Sequence, residues 1–307
     1  DGRRIAYGRI ERGTISFVVD GVATPAVADA QSPTFSPDGS RFVYFGKAGR
    51  GLTLMGEGIT AAADGSGPGG YFDSVGPLRF SRDGRRLAIL GFRGKGRLVL
   101  VVDGTASSEY AEGWGHASFS PDGQHVALLV QRRPTGFLGS TKGTWTLLLD
   151  GREIGSWDGV SSSPHFSPDG AHVAFSAKTP GGAVLVLDGR DGPARPVVSA
   201  PVWSESGRVA CVTGSSDKGP FRIVVDGQEG PELQRFGQAT PTTTITFTPD
   251  GRDLIAIGFL EGGWRPIVGD LIGPGYEGVA MARIAGGRVE FSAFGGDALR
   301  HVSTAIG

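Results

Sequence analysis

The sequence predicts an all-β chain, a seven-bladed β-propeller of four-stranded antiparallel blades, and three observations predict it. A five-residue motif repeats along the chain: FSPDG at 35–39, FSRDG at 80–84, FSPDG at 119–123 and 166–170, WSESG at 203–207, FTPDG at 247–251 and FSAFG at 291–295. A second motif, two apolar residues followed by Asp-Gly, stands at 18–21, 101–104, 148–151, 186–189 and 224–227. Between the motifs lie short runs of Val, Leu, Ile and Phe bounded by Gly, Asp and Pro, and no stretch carries a helical period.

The apolar runs RFVYFG (41–46), RLAILGF (86–92), HVALLV (125–130), HVAFSA (172–177) and RVACVTG (208–214) read as strands. Asp-Gly between two such runs is a hairpin signal, because a tight turn needs a positive φ that Gly adopts without strain. Each unit therefore reads strand, Asp-Gly turn, strand, glycine-rich loop, strand, Asp-Gly turn, strand. The copies recur every 37 to 47 residues, which is the length of a four-stranded blade. Units are expected to start near 1, 31, 76, 115, 162, 199 and 243 of a single domain. Residues 1–21 match 83–104 almost position for position, so the first unit lacks its first strand. The segment GRVEFS (287–292) is expected to supply that strand and close the ring, removing two exposed edges. The tail 297–307 has no place in this scheme, and an eight-bladed or incompletely closed ring is the alternative.

Composition narrows the function classes. The chain has 307 residues, 39% of them hydrophobic, enough for a substantial core. Its 30 basic and 31 acidic side chains leave a net charge of −1, so no global field draws it to nucleic acid or an anionic membrane. No apolar run reaches the length of a membrane-spanning helix. Cys211 is the one cysteine and permits no internal disulfide.

The repeated F-S-P-D-G before a short apolar strand resembles the TolB-type, WD-like β-propeller repeat, over essentially the whole chain. That resemblance implies an exported or periplasmic binding module as the commonest case. It says nothing about chemistry, because a fold does not specify an activity.

No motif read from the residues carries a cofactor, and none is expected. Gly65, Gly67 and Gly70 form a G-x-G-x-x-G match, but a proline interrupts it and no helix follows to hold a dinucleotide phosphate. Asp188 and Asp191 lack the further oxygen ligands of a calcium loop. His125, His172 and His301 share a repeat position that Arg4, Arg41 and Arg86 fill elsewhere, which marks scaffold. Cys211 matches Phe175 in the neighbouring unit and reads as core.

Candidate site residues come from departures within the repeat. The residue before each aromatic anchor varies freely, as for a position facing a watery channel, and Arg79, His165 and Glu290 are its ionisable members. Loops joining second to third strands carry 13 basic residues against three acidic ones, whereas the Asp-Gly turns on the opposite side are acidic, so a basic face is expected. Tyr71, Trp114 and His116 lie in blade-to-blade loops of that face, with Trp264 and Arg265 in a neighbouring loop. The segment 131–143 is longer than its counterparts by eight or nine residues and carries Arg132 and Arg133 beside Pro134. It reads as a lid or partner loop, or else as an extended hairpin packed on its own blade. The composite reading is a non-catalytic module whose basic loop face recruits an anionic small molecule or an acidic protein surface. The alternative is a lyase or hydrolase using His165, His116, Glu290 or Arg79 in the central funnel.

Overall fold

The computed structural model describes residues 3–59, 67, 69–94, 97–132, 143–236, 245–285, 288–295 and 298–305. The described residues hold strands and turns and no helix. The chain divides into two compact units, Asp1–Trp157 and Asp158–Gly307.

The first unit has four antiparallel sheets. They are β1 (Ala6–Glu11), β2 (Thr14–Val19) and β3 (Val22–Ala23); β4 (Ala30–Phe35), β5 (Phe42–Ala48) and β6 (Gly51–Gly56); β7 (Ser74–Phe80), β8 (Leu87–Arg93), β9 (Arg97–Val102) and β10 (Thr105–Tyr110); and β11 (Glu112–Phe119), β12 (Val126–Gln131), β13 (Trp145–Leu149) and β14 (Arg152–Trp157). The second unit has four more. They are β15 (Gly159–Val160), β16 (His165–Phe166), β17 (Val173–Thr179), β18 (Gly182–Leu187) and β19 (Arg190–Asp191); β20 (Val197–Val198), β21 (Val202–Trp203), β22 (Val209–Gly214), β23 (Phe221–Val225) and β24 (Gln228–Leu233); β25 (Arg235–Phe236), β26 (Ile245–Phe247), β27 (Leu254–Leu260), β28 (Gly263–Val268) and β29 (Leu271–Ile272); and β30 (Gly278–Ala285), β31 (Arg288–Gly295) and β32 (Ala298–Ala305).

Each sheet is a meander, as the motif order predicts; in three of them the first strand is in two pieces, β15 and β16, β20 and β21, β25 and β26, both pieces pairing with the strand that follows. The Asp-Gly turn between third and fourth strands places both residues in the left-handed region: Asp20, Asp103, Asp150, Asp188 and Asp226 at φ 49–51°, and the following glycines at 78–87°. Two successive positive φ values are those of a type I′ turn, whose twist matches the flanking strands. Asp tolerates that conformation where a β-branched residue does not, which explains the constancy of the pair.

Within each unit, successive sheets pack face to face. Leu87, Ile89, Val99 and Val101 of the third sheet meet Val43, Phe45, Leu52 and Leu54 of the second. Their alternate neighbours Ala88, Leu90, Leu98 and Leu100 meet Val126, Leu128 and Val130 of the fourth. Both faces of a central sheet are thus buried, so its strands read as continuous apolar runs.

The expected closing strand is corrected here. Residues 288–295 form the middle of their own sheet, with β30 and β32 bonded on either side, and β1 pairs only with β2. FSAFG lies inside β31 and makes no turn like its namesakes. The apolar, glycine-poor segments on both sides of it give it local partners, and a hairpin to an adjacent strand costs less loop entropy than a return to the far end of the chain. The described residues hold eight sheets instead of seven blades with one shared.

Candidate functional site

Repeat positions that read as scaffold form a linked set of clasps. One oxygen of Asp20, Asp103, Asp150, Asp188 or Asp226 accepts the backbone N–H of Ile5, Leu87, Val126, Val173 or Val209 at 2.8–3.0 Å. The other accepts from Arg4, Arg86 or Arg208 Nε, or from His125 or His172 Nδ1, at 2.6–2.8 Å. The arginines then reach the next sheet: Arg4 donates to Gly39 O at 3.0 Å, Arg208 to Arg252 O at 2.6 Å, and Arg86 to Gln124 O. Each also lies over the next anchor ring, Arg4 on Phe35 at 5.2 Å and Arg86 on Phe119 at 5.8 Å. Sequence reading counted the Asp-Gly side as acidic because it left these cations out. The clasps neutralise it.

The opposite loop side is less basic than expected. Arg9 pairs with Glu11 at 3.4 Å and Arg97 with Glu109. Arg93 lies over Phe72 at 5.1 Å and donates to the carbonyls of Tyr71 and Gly69, so it pins a loop. Arg265 pairs with Glu261 at 3.2 Å and donates to Gly273 O. Arg132 pairs with Glu153, which also accepts from Tyr110 Oη at 2.7 Å. That contact joins two residues assigned by sequence to opposite faces. Arg12, Lys47 and Arg50 in the first unit, and Lys178 and Lys218 in the second, are exposed and show no ion pair among the described residues.

Arg79 is exposed on β7 in the first unit. His165 is exposed on β16 in the second; desolvation lowers its imidazole pKa, and its main-chain oxygen accepts Trp203 Nε1 at 3.0 Å. Glu290, half-buried on β31, lies 3.8 Å from His301 Nε2. None of these three is fully buried. Tyr71 is half-buried, and Trp264 packs in the apolar cluster of the last two sheets, edge-on to Phe259 at 5.5 Å. The backbones of Trp114 and His116 lie in β11, but their side chains fall outside the described residues, as do Arg133 and the segment 133–142.

Sequence reasoning missed a cleft of about 710 Å³ between the first two sheets of the second unit. Its floor is Leu185, Val198, Val209, Cys211 and Val224. It lies beside β19, which is two residues long against six in β10, β14 and β24. Past Gly192-Pro193 the chain stays beside β18, Gly192 N donating to Leu185 O at 2.8 Å and Ala183 and Arg195 exchanging backbone hydrogen bonds at 2.7 and 2.8 Å. Gly-Pro is not its signal, because Gly230-Pro231 stands at the equivalent place inside the six-residue β24. At the rim, His172 stacks on Trp203 at 6.4 Å, and Arg195 is held by Glu229 at 2.5 Å. Arg190 is exposed at the same rim and has no ion pair among the described residues. Burial pushes the Cys211 thiol up to about 12, so it is a wall and no nucleophile.

No family model and no curated protein matches the chain. Among solved structures it is similar to propeller proteins. Oligogalacturonate lyase from Vibrio parahaemolyticus is 11% identical at a TM-score of 0.38, covering 100% of this chain and 99% of that one. TolB from Acinetobacter baumannii is 12% identical at 0.34, covering 94% and 76%. The β-propeller domain of the Trilobed protease from Pyrococcus furiosus is 14% identical at 0.34, covering 87% and 90%. These likenesses carry no statement about activity.

Proposed function

We propose that this chain is a non-catalytic, propeller-type binding module that takes a small anion with an apolar body in the cleft of its second unit. The observation that carries the reading is the pairing of an apolar floor with one uncommitted guanidinium, Arg190, at the rim. The volume of about 710 Å³ suits a small organic ligand. Of the other charged rim groups, Asp188 faces His172, Asp226 faces Arg208 from outside the cleft, Arg195 is held by Glu229, and Asp191 follows Arg190 in the chain. The catalytic reading names His165, His116, Glu290 or Arg79 as its acid–base groups. His165 makes no ring hydrogen bond to a carboxylate among the described residues, and Glu290 faces His301.

The test is a fluorescence titration with 8-anilinonaphthalene-1-sulfonate, an apolar aromatic anion. One saturable equivalent is expected, weakened about tenfold by Arg190→Glu and more strongly affected at low salt, with the melting temperature unchanged. Leu187→Asp, at a partly exposed wall position, should act likewise. Equal binding by Arg190→Glu would overturn the reading, and weakening by Lys178→Glu or Lys218→Glu instead would move the site to the loop side.

A further inference from the structure

The first unit holds a second cleft, of about 560 Å³, between its first two sheets. It occupies the same place in the repeat: β3 is two residues long, and past Thr24-Pro25 the chain stays beside β2, Ile15 and Val27 exchanging backbone hydrogen bonds at 2.8 Å. Val19, Pro25, Phe42, Leu54 and Met55 give it apolar walls. Its polar groups are almost all committed. Arg4 pairs with Asp20 and Glu57, both at 2.6 Å, and Glu57 also accepts Phe42 N at 2.7 Å. Thr24 Oγ1 accepts Phe17 N at 2.9 Å, and Thr53 Oγ1 accepts Gly67 N at 2.5 Å while donating to Gly70 O at 3.2 Å.

Tyr44 is the exception. It lines the cleft at 1% exposure, and its hydroxyl is the one buried side-chain polar atom without a hydrogen-bond partner among the described residues. Repeat equivalence says that the scaffold does not need that hydroxyl. The same position holds Ile89, Leu128, Phe175, Cys211 and Ala256 in other units, and the equivalent Tyr7 is 57% exposed, so its hydroxyl meets water. Leaving a buried hydroxyl unsatisfied is costly, and a bound acceptor removes the cost. At the mouth Arg4 is held by both carboxylates, so no uncommitted cation stands there to draw an anion.

We propose that this cleft binds a neutral, largely apolar small molecule carrying one hydrogen-bond acceptor, with the Tyr44 hydroxyl as donor. Met55 packs on the cluster that holds Tyr44, and its unbranched thioether can turn aside to admit the acceptor. The site stands independently of the anion cleft.

The probe is 6-propionyl-2-dimethylaminonaphthalene, a neutral fluorophore whose emission moves to the blue when its carbonyl loses a hydrogen bond. One saturable equivalent is expected with the intact protein. Tyr44→Phe should weaken binding about tenfold and shift the bound emission to the blue, without lowering the melting temperature. Arg190→Glu should leave this titration unchanged while altering that of the sulfonate. No saturable binding, or the same affinity and emission in Tyr44→Phe, overturns the proposal. Loss of binding in Arg190→Glu also overturns it, because the probe then sits in the other cleft.

Discussion

Two glycines that look alike in sequence are required for different reasons. Gly104 ends an Asp-Gly turn at φ 87° with Asp103 before it at 49°, so its constraint is conformational. Gly104→Ala should cost roughly 1–2 kcal/mol through the left-handed backbone alone. Gly91 sits mid-strand on β8, where an added Cβ would fall 2.1 Å from the Phe72 ring. Gly91→Ala should cost about 1–3 kcal/mol by overpacking and displace the loop that Phe72 anchors, and adding Phe72→Leu should recover part of the loss. Urea denaturation of the three variants checks both; equal effects with and without the second change would refute the steric account. Gly104 was legible from its motif. Gly91 was not, because its partner lies 19 positions away and only packing brings the two together.

At the scale of the turn, Asp38, Asp83, Asp122, Asp169 and Asp250 share one arrangement. Each carboxylate accepts from the hydroxyl of Ser36, Ser81, Ser120, Ser167 or Thr248 and from a backbone N–H two residues on. The hydroxyl bond, the largest cause, lowers all five pKa values, that of Asp38 to about 2 from 3.8. A depressed carboxylate stabilises the fold above its unfolded pKa, and that stability is lost as pH falls through the folded value. Melting temperature should therefore hold above about pH 4 and fall between about pH 4 and 2. Ser81→Ala should flatten its share of that loss, and an unchanged acid profile would refute the assignment. Between sheets, His172 keeps the hydrogen bond to Asp188 but is too short to reach the next turn as Arg4, Arg86 and Arg208 do. His172→Arg should stabilise by about 0.5–2 kcal/mol, as restoring a repeat consensus commonly does, and no gain would show that stacking on Trp203 already suffices.

At the scale of the molecule, the last sheet contributes Val279, Phe291 and Ala293 to a core it shares with Ile255 of the sheet before, under Trp264. Deleting 278–307 should lower the melting temperature and shift tryptophan emission to the red, while much of the β-sheet circular dichroism survives. Complete loss of cooperative unfolding would show instead that this sheet is indispensable to the rest. The sequence by itself determined the all-β class, the meander order and the turn chemistry, because these follow from alternation and from φ preferences acting within a few residues. It also separated scaffold from variable positions, since repeat equivalence compares like with like. Only the tertiary structure decided the rest. Whether 288–295 pairs with β1 or with its own neighbours depends on which edges are already bonded. Whether an arginine is free or clasped depends on carboxylates that can stand 53 residues away, as Glu57 does from Arg4. The clefts lie beside two-residue fourth strands, and each is bounded by a neighbouring sheet that no local pattern describes.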